Sequence, residues 1–358
     1  MRRAAMPTTS EQGPRIRSIA TAVPHYRISQ AEARRFGAAF FANAVPRLGQ
    51  MLGVFDNAAI GEGYCCLPRP WYENAGHGFR EKNRQYLEHA LILLRDAATK
   101  CLEAGGAVPG DIDMIVTVST TGIATPSLDA RLMEELPFRR DVQRLPIFGL
   151  GCAGGVLGLA RAAACARASP GSRVLFLVVE LCTLTFRGRD RSAKNLVATA
   201  LFRDGAAAAL LTEDGPGPAV SAWGEYTWPD SLDLMGWDVA DDGLEVVFSR
   251  RIPKVVRKHM RRAASEFLAS NGLALADVDC FVCHPGGTKV LEALEEAFDI
   301  PPRGLEHSRA ALHAYGNMSA ATVLFVLQRV FREEDPKWQL LSSLGPIFSA
   351  AFLLLRSM

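Results

Sequence analysis

Hydrophobic residues along this chain form short continuous runs and longer segments with a helical period. Runs of strand length occupy residues 15–23, 113–118, 145–150, 174–179, 205–211 and 347–355. Helical segments are predicted at residues 30–55, 79–103, 127–136, 156–167, 288–298 and 318–330, and residues 61–78 read as a surface loop. A period near 3.6 residues indicates helices, and short apolar runs indicate buried strands. Their alternation predicts an α/β fold.

The second half of the chain repeats the pattern of the first half. A gap-free shift of 166 residues aligns Gly106 with Gly272 and Asp111 with Asp277. Each copy reads as a helix, a glycine turn, an Asp-x-Asp and a buried strand, and such self-similarity indicates duplication. We therefore expect a disordered tail at 1–14, an N-terminal half at 15–213 and a C-terminal half at 214–358.

Composition excludes several classes of function. The 358 residues are 49% hydrophobic and 22% charged, with a net charge of +2, which does not predict nucleic-acid binding. Since no apolar run reaches the roughly 18 residues that span a bilayer, we expect no integral membrane segment. The basic start of the chain lacks the apolar core of a secretory signal, so the sequence favours the cytoplasm.

The eight cysteines predict reduced thiols, as is typical of the cytosol. Cys65-Cys66 and Cys280-x-x-Cys283 leave open a metal or redox site, but no second pair has zinc-finger spacing. Because Cys280 and Cys283 lie in an apolar run, we interpret them as buried structural thiols. No metal site is expected.

Cys152 is placed differently from the other cysteines. It lies in a turn of small residues, 151–155, between an apolar run and an Ala-rich helical segment. The positive end of a helix dipole there is expected to lower the thiol pKa from about 8.5 to roughly 3.5–7.5. The glycines of the turn are expected to leave room for an acyl group. A buried core cysteine in a tight turn is the alternative.

The second half supplies two partners for this thiol. His284 lies between a predicted strand and a helix, and Asn317 lies at the start of an apolar helix. A core histidine and a helix N-cap are the alternative interpretations. A duplicated sheet, however, brings Cys152, His284 and Asn317 to the same end. The histidine then accepts the thiol proton, and both side chains donate to a thioester oxygen.

With these residues in place, the sequence closely resembles the type III polyketide synthases, the chalcone synthase-like branch of the thiolase-fold condensing enzymes. The resemblance covers residues 15–358. Its motifs are Ser119-Thr-Thr-Gly-Ile-Ala-Thr-Pro126, Gly149-Leu-Gly-Cys-Ala-Gly-Gly155, Glu180-Leu-Cys-Thr-Leu-Thr-Phe-Arg-Gly188, Ala200-Leu-Phe-Arg-Asp-Gly-Ala206, His284-Pro-Gly-Gly287, Tyr315-Gly-Asn-Met-Ser319 and Gly345-Pro346.

The resemblance implies a five-layered αβαβα thiolase fold of two duplicated halves, a homodimer and a buried pocket. It implies that Cys152 carries the acyl group of a starter acyl-CoA. His284 and Asn317 would bind malonyl-CoA, promote loss of CO2 and hold the enolate that attacks this acyl group. Phe202 matches an aromatic gatekeeper. No cofactor is expected, since CoA thioesters are the substrates.

The pocket positions implied by the resemblance favour an aliphatic starter. They are Thr120, Ala124, Cys182, Leu184, Thr185, Ala198, Val246, Ser319 and Pro346. Small residues among them resemble those of bacterial alkylpyrone and alkylresorcinol synthases, where a channel holds a long acyl chain. Each buried methylene contributes about 0.8 kcal/mol, so an apolar channel favours long starters.

Some positions depart from the family pattern. Arg203 replaces the small residue after the gatekeeper. Gln50, Gly53 and Asn57 replace the basic residues that grip CoA, which leaves Arg47 or Arg250-Arg251 as candidates. Pro346 is followed by Ile347 instead of glycine.

Two other functions remain as alternatives. A β-ketoacyl synthase III acting on acyl carrier protein has the same three residues. A catalytically silent thiolase-fold partner subunit is the second alternative. A biosynthetic thiolase is disfavoured, because it needs a further cysteine near the C-terminus and none follows Cys283.

Overall fold

The computed structural model describes residues 13–42, 45–74 and 76–357. Its strands are β1 (Arg15–Ala22), β2 (Tyr26–Ser29), β3 (Glu62–Cys65), β4 (Met114–Val118), β5 (Gln143–Ile147), β6 (Val174–Leu181), β7 (Asp204–Thr212), β8 (Ala219–Thr227), β9 (Met235–Ala240), β10 (Gly243–Phe248), β11 (Cys280–Cys283), β12 (Trp338–Gly345) and β13 (Ser349–Arg356). Its helices are α1 (Gln30–Phe40), α2 (Leu48–Met51), α3 (Gly53–Asn57), α4 (Arg69–Glu73), α5 (Phe79–Ala104), α6 (Leu128–Leu132), α7 (Gly154–Ala168), α8 (Ala193–Leu201), α9 (Ile252–Ala269), α10 (Thr288–Phe298), α11 (Glu306–Tyr315) and α12 (Thr322–Glu333).

Two half-sheets share one strand order. The first runs β4-β6-β7-β1, and the second runs β11-β12-β13-β8. In each, the first pair is parallel and the next two pairs are antiparallel. A single pairing of Arg15 with Ala219 joins them, and β5 lies at one edge. The matching order confirms the predicted duplication.

The side chains of each sheet alternate between a central and an outer core, as β6 illustrates. Val174, Phe176 and Val178 pack against α7 and α12 between the two half-sheets. Leu175 and Leu177 pack outward against α5. On the far side, α9 and α10 cover the second half-sheet. The layers are therefore α5, sheet, α7 with α12, sheet, and α9 with α10, which confirms the five-layered αβαβα thiolase fold.

The predicted elements differ from the structure both inside and outside this core. Strands β8 and β12 of the sheet were not predicted. The segment 30–55 is divided into α1, which ends at Phe40, and the short helices α2 and α3; Arg47, which precedes α2, has a left-handed φ of 55° that interrupts the helical backbone. The predicted loop at 61–78 contains β3 and α4. The predicted tail lies outside the described residues except for Gly13 and Pro14, which are buried.

None of the helices in the described ranges is both long and apolar enough to cross a membrane.

Candidate active site

Cys152 lies in a 3-10 turn, Gly151–Ala153, between β5 and α7. The glycines of this turn have a different role from the predicted one, because protein atoms occupy the space beside them. A Cβ at Gly151, where φ is 48°, would lie 2.8 Å from Pro346, and one at Gly155 would lie 2.2 Å from the carbonyl oxygen of Ala320. The glycines thus let the Cys152 turn pack closely against the segments that follow β12 and Asn317.

His284 and Asn317 come from two neighbouring segments of the second half. His284 directly follows β11, and its main-chain N–H donates to the main-chain carbonyl of Ser342 at 2.8 Å. Asn317 follows α11, and its Oδ1 accepts from the N–H of Ser319 at 2.8 Å. Its Nδ2 lies 3.5 Å from the carbonyl oxygen of Gly286. This contact connects the Asn317 amide to the loop that carries His284.

The three residues line one cavity of about 50 Å³, which we call the catalytic cavity. Four other predicted pocket residues join them in its wall: Phe202, Val246, Ser319 and Pro346. The remaining wall is mostly apolar and includes Met235, Trp237 and Phe248. An acyl thioester that entered this space would leave bulk water behind.

Burial favours the neutral form of both Cys152 and His284. It raises the pKa of the Cys152 thiol to about 11, opposed by a contact of 3.5 Å between Sγ and the hydroxyl of Ser319. The predicted lowering by the helix dipole is therefore wrong for the isolated thiol, because loss of hydration outweighs it. Burial also lowers the pKa of His284 to about 4.

The His284 ring is available for chemistry. Among the described residues, neither ring nitrogen has a hydrogen-bond partner, although both nitrogens are buried. A neutral imidazole can accept one proton and donate another. It can therefore take the proton of Cys152 or, together with the Asn317 amide, donate to a thioester oxygen.

A second cavity of about 280 Å³, which we call the acyl cavity, adjoins Phe202. Besides Phe202, three predicted pocket residues lie in its wall: Cys182, Thr185 and Ala198. Ala33, Phe36 and Phe186 add apolar surface. Tyr26, Arg27 and Arg69, which are exposed, form its outer end.

A third cavity of about 150 Å³, which we call the side cavity, runs from Asn317 and Phe202 along α8. Val197 and Val246 lie in its wall, and Lys194 and Arg250 supply positive charge. The Phe202 ring lines all three cavities. It therefore lies at the junction between them.

Three predicted pocket residues lie outside the walls that the described residues give these cavities. Thr120 donates its hydroxyl to the buried carboxylate of Glu180 at 2.5 Å. Leu184 and Ala124 belong to the core around α5. The family resemblance predicted that these three side chains line the pocket, but in the structure they pack in the core or form a hydrogen bond instead.

The hairpin β9–β10 contributes several residues to the wall of the catalytic cavity, of which only Val246 was predicted. Arg187 holds the hairpin through Asp242 at 2.8 Å and Glu245 at 2.5 Å. Lys82 donates to the carbonyl of Asp242 at 2.9 Å. The turn residues Asp241-Asp242-Gly243 were the available signal.

Cys280 and Cys283 have the properties expected of buried structural thiols. All eight are free thiols, and both Cys280 and Cys283 are buried. Cys283 accepts a hydrogen bond from Ser342 at 3.2 Å. Burial raises the pKa of both thiols to about 12.

Comparison with known proteins identifies the same family along most of the chain. The N-terminal domain of chalcone and stilbene synthases matches residues 78–215, and the C-terminal domain matches residues 222–358. A putative chalcone synthase of Bacillus subtilis (strain 168) is 37% identical over 356 residues, covering 95% of this chain and 97% of that protein.

Two other comparisons point to bacterial polyketide synthases. The 1,3,6,8-tetrahydroxynaphthalene synthase of Streptomyces peucetius subsp. caesius is 37% identical, covering 98% of this chain and 94% of that protein. The crystal structure of 1,3,6,8-tetrahydroxynaphthalene synthase from Streptomyces coelicolor A3(2), described as a bacterial type III polyketide synthase, superimposes with a TM-score of 0.91 at 28% identity. That match covers 96% of this chain and 99% of the crystallised chain.

Proposed function

Because this chain belongs to the chalcone and stilbene synthase family and is a type III polyketide synthase, we propose that it extends a long aliphatic acyl-CoA starter. The starter is held on Cys152. His284 and Asn317 bind the thioester carbonyl of malonyl-CoA, which loses CO2 and leaves an enolate. The enolate carbon attacks the Cys152 thioester, a C–C bond forms, and the thiol leaves. The extended chain is then a CoA thioester, and its transfer back to Cys152 releases CoA and allows the next cycle. After further cycles the chain closes to an alkylpyrone or alkylresorcinol.

The acyl cavity is the observation that carries the choice of starter. An apolar cavity of about 150 Å³ holds benzene, so the 280 Å³ of this cavity suits roughly ten carbon atoms. Small side chains at Cys182 and Ala198 keep the space open beside Phe202. An apolar wall also stabilises each methylene by about 0.8 kcal/mol.

A panel of starters tests this proposal. The purified protein is given malonyl-CoA with acetyl-, hexanoyl-, decanoyl-, hexadecanoyl- or coumaroyl-CoA, and products are identified by mass spectrometry. We expect kcat/KM to rise at least about tenfold from acetyl- to decanoyl-CoA, because each added methylene is buried. Products that form from malonyl-CoA without any starter, or with coumaroyl-CoA as the only accepted starter, would overturn the proposal of an aliphatic starter.

The side cavity suits the CoA arm of both substrates. It leads from Asn317 to Lys194 and Arg250, which replace the missing basic positions near residues 50–57. Phosphate groups are bound by such cations. Oε1 of Glu245 lies 3.9 Å from Nζ of Lys194, and its negative charge partly offsets the positive charge of the lysine.

Charge reversal tests this assignment. Lys194→Glu and Arg250→Glu should each raise KM for CoA thioesters about tenfold, equivalent to 1.4 kcal/mol, with kcat retained. Thioesters of N-acetylcysteamine, which lack the phosphates, should show no change. Lys258→Glu on the exposed face of α9 is the matched control. An equal rise in KM for the truncated thioesters would refute phosphate binding.

We also propose that the protein is a cytoplasmic homodimer. Eight free thiols support a reducing compartment. Strand β5 supports the dimer, because it is the edge of the sheet and residues 143–146 are exposed. Leu145 and Phe148 present apolar surface there. Edges of this kind pair with another chain.

A further inference from the structure

Arg203 follows the junction residue Phe202, and its guanidinium is buried, with only 2% of the residue exposed. Among the described residues, the guanidinium donates to two main-chain carbonyls and to one side-chain amide oxygen. Nη1 donates to the carbonyl of Phe202 at 2.7 Å and to that of Thr199 at 3.1 Å. These carbonyls lie at the C-terminal end of α8, where a cation is favoured by the helix dipole.

Gln30 extends this network to the first helix of the chain. Nη2 of Arg203 donates to Oε1 of Gln30 at 2.7 Å. The amide nitrogen of Gln30 donates in turn to the carbonyl of Ala200 at 3.0 Å and to that of Phe55 at 3.1 Å. The last turn of α8 is thus bound to α1 and α3 through two buried side chains.

The main chain beside Phe202 is bonded to Asn317 in both directions. The N–H of Arg203 donates to the carbonyl of Asn317 at 2.9 Å, and the N–H of Asn317 donates to the carbonyl of Leu201 at 3.0 Å. Asn317 lines the catalytic cavity, and the Phe202 ring lines all three cavities. A displacement of the main chain at residues 201–203 would therefore move both Asn317 and the Phe202 ring.

Two glycines make room for the aliphatic stem of Arg203. A Cβ at Gly63 would lie 2.4 Å from its Cγ, and a Cβ at Gly316 would lie 2.5 Å away. Gly316 also has a φ of 69°. Packing on both sides restricts the stem, so the position of the guanidinium is determined by contacts as well as by hydrogen bonds.

We propose that Arg203 is a positioning residue that holds the Phe202 ring and the Asn317 main chain in place through Gln30 and the end of α8. It thereby determines which acyl chains pass from the catalytic cavity into the acyl cavity. Arg203 itself lies in the wall of the acyl cavity, and it does not line the catalytic cavity that contains Cys152, His284 and Asn317. The inference rests on the proposed function for its effect on starter choice.

Arg203→Met and Arg203→Lys test this inference. Both are assayed below their unfolding temperatures for decarboxylation of malonyl-CoA without starter and for kcat/KM with hexanoyl-, decanoyl- and hexadecanoyl-CoA. We expect Arg203→Met to lower kcat of condensation by about 10- to 100-fold, the scale of a 1 Å misplacement, with KM for malonyl-CoA within about twofold. The ratio of kcat/KM between long and short starters should change about tenfold. Arg203→Lys should recover part of the condensation rate and part of the starter profile, since it keeps the positive charge and one donor nitrogen.

Arg167→Met is the matched control, because Arg167 also donates to a carbonyl, that of Val220, and lines none of the three cavities formed by the described residues. It should lower stability without changing the starter profile. Crystal structures of wild type and Arg203→Met should show Phe202 and Asn317 displaced together.

Unchanged kcat and starter profile in folded Arg203→Met would overturn the inference. If wild type condenses no acyl-CoA, the proposed function fails, and the two crystal structures decide alone. Superimposable Phe202 and Asn317 would then refute the positioning role.

Discussion

At the scale of single residues, burial determines the charge of the candidate catalytic pair. Burial is the main cause that raises the pKa of Cys152 to about 11, and burial lowers the pKa of His284 to about 4. Transfer of one proton from Sγ to the imidazole creates two opposite charges together, and their attraction offsets part of the lost hydration. We therefore expect His284 to control the reactivity of Cys152.

His284→Ala should lower the rate of Cys152 alkylation by iodoacetamide at pH 7 by at least about 100-fold, the lower range for loss of a general base. An isolated thiol with a pKa of about 11 is mostly protonated at pH 7. Since the thiolate is the reacting form, the rate in this variant should rise about tenfold per pH unit from 7 to 10.

Intact-protein mass spectrometry measures this rate, and Cys152→Ala corrects for alkylation of the other thiols. A wild-type rate at pH 7 in His284→Ala would show that the histidine does not activate the thiol.

The positions of these residues could be predicted from the sequence, but their environment could not. The glycine turn and the strand–helix junction predicted that Cys152, His284 and Asn317 meet. The pKa direction of Cys152 could not follow, because its burial depends on Phe202 and the distant hairpin β9–β10. Thr120 likewise binds Glu180, a partner 60 residues away.

At the scale of elements, α8 separates the acyl cavity from the side cavity. Asn195 and Thr199 face the first, and Lys194 and Val197 face the second. Ala198 borders both. Helical periodicity places these sets on different faces.

Ala198→Phe should therefore fill part of the acyl cavity and shift the preferred starter to shorter chains. We expect kcat/KM for hexadecanoyl-CoA to fall at least about tenfold relative to hexanoyl-CoA, since several buried methylenes are lost. Competition between the two starters, read out by mass spectrometry, measures this ratio.

Val197→Phe adds the same ring to the neighbouring position of α8. It should raise KM for all CoA thioesters and leave the length preference unchanged. A shift to short starters in Val197→Phe, or its absence in Ala198→Phe, would contradict the assignment of the two cavities.

Several strands of the central layers were predictable because they are buried on both faces, but β8 and β12 were not predicted, since polar residues interrupt their apolar runs. Strand β6 reads as a continuous apolar run, and α10 begins and ends at the predicted residues. The hairpin β9–β10 was missed because its strands are half-exposed and carry mixed side chains. The interruption of the helix predicted at 30–55 could not be predicted, because the left-handed backbone at Arg47 is not visible in the apolar pattern.

At the scale of the whole molecule, the duplicated fold followed from the 166-residue repeat. The repeat aligns the 3-10 turn Pro109–Asp111 with the turn Leu275–Asp277, and each turn precedes the first strand of its half-sheet. The hydrogen bonds of both turns depend on the repeated aspartates. Association between chains was not visible in this pattern.

The dimer proposed at β5 can be tested at Phe148, which is 62% exposed. Wild type should sediment at twice the chain mass of 38.8 kDa. Phe148→Asp places a charge on the edge and should shift the protein to monomer at micromolar concentration. Val239→Asp, on the exposed hairpin, should remain dimeric. A monomeric wild type, or a dimeric Phe148→Asp, would contradict the proposed interface.

The central claim is that Cys152 carries an aliphatic acyl group that grows by decarboxylated malonyl units. Mass spectrometry of the protein after rapid quenching, with decanoyl-CoA and ¹³C-labelled malonyl-CoA, tests it most directly. We expect a decanoyl adduct on Cys152, followed by adducts enlarged by labelled two-carbon units, and no adduct in Cys152→Ala. Absence of any acyl adduct on Cys152, or label incorporation that retains the malonyl carboxylate, would contradict it.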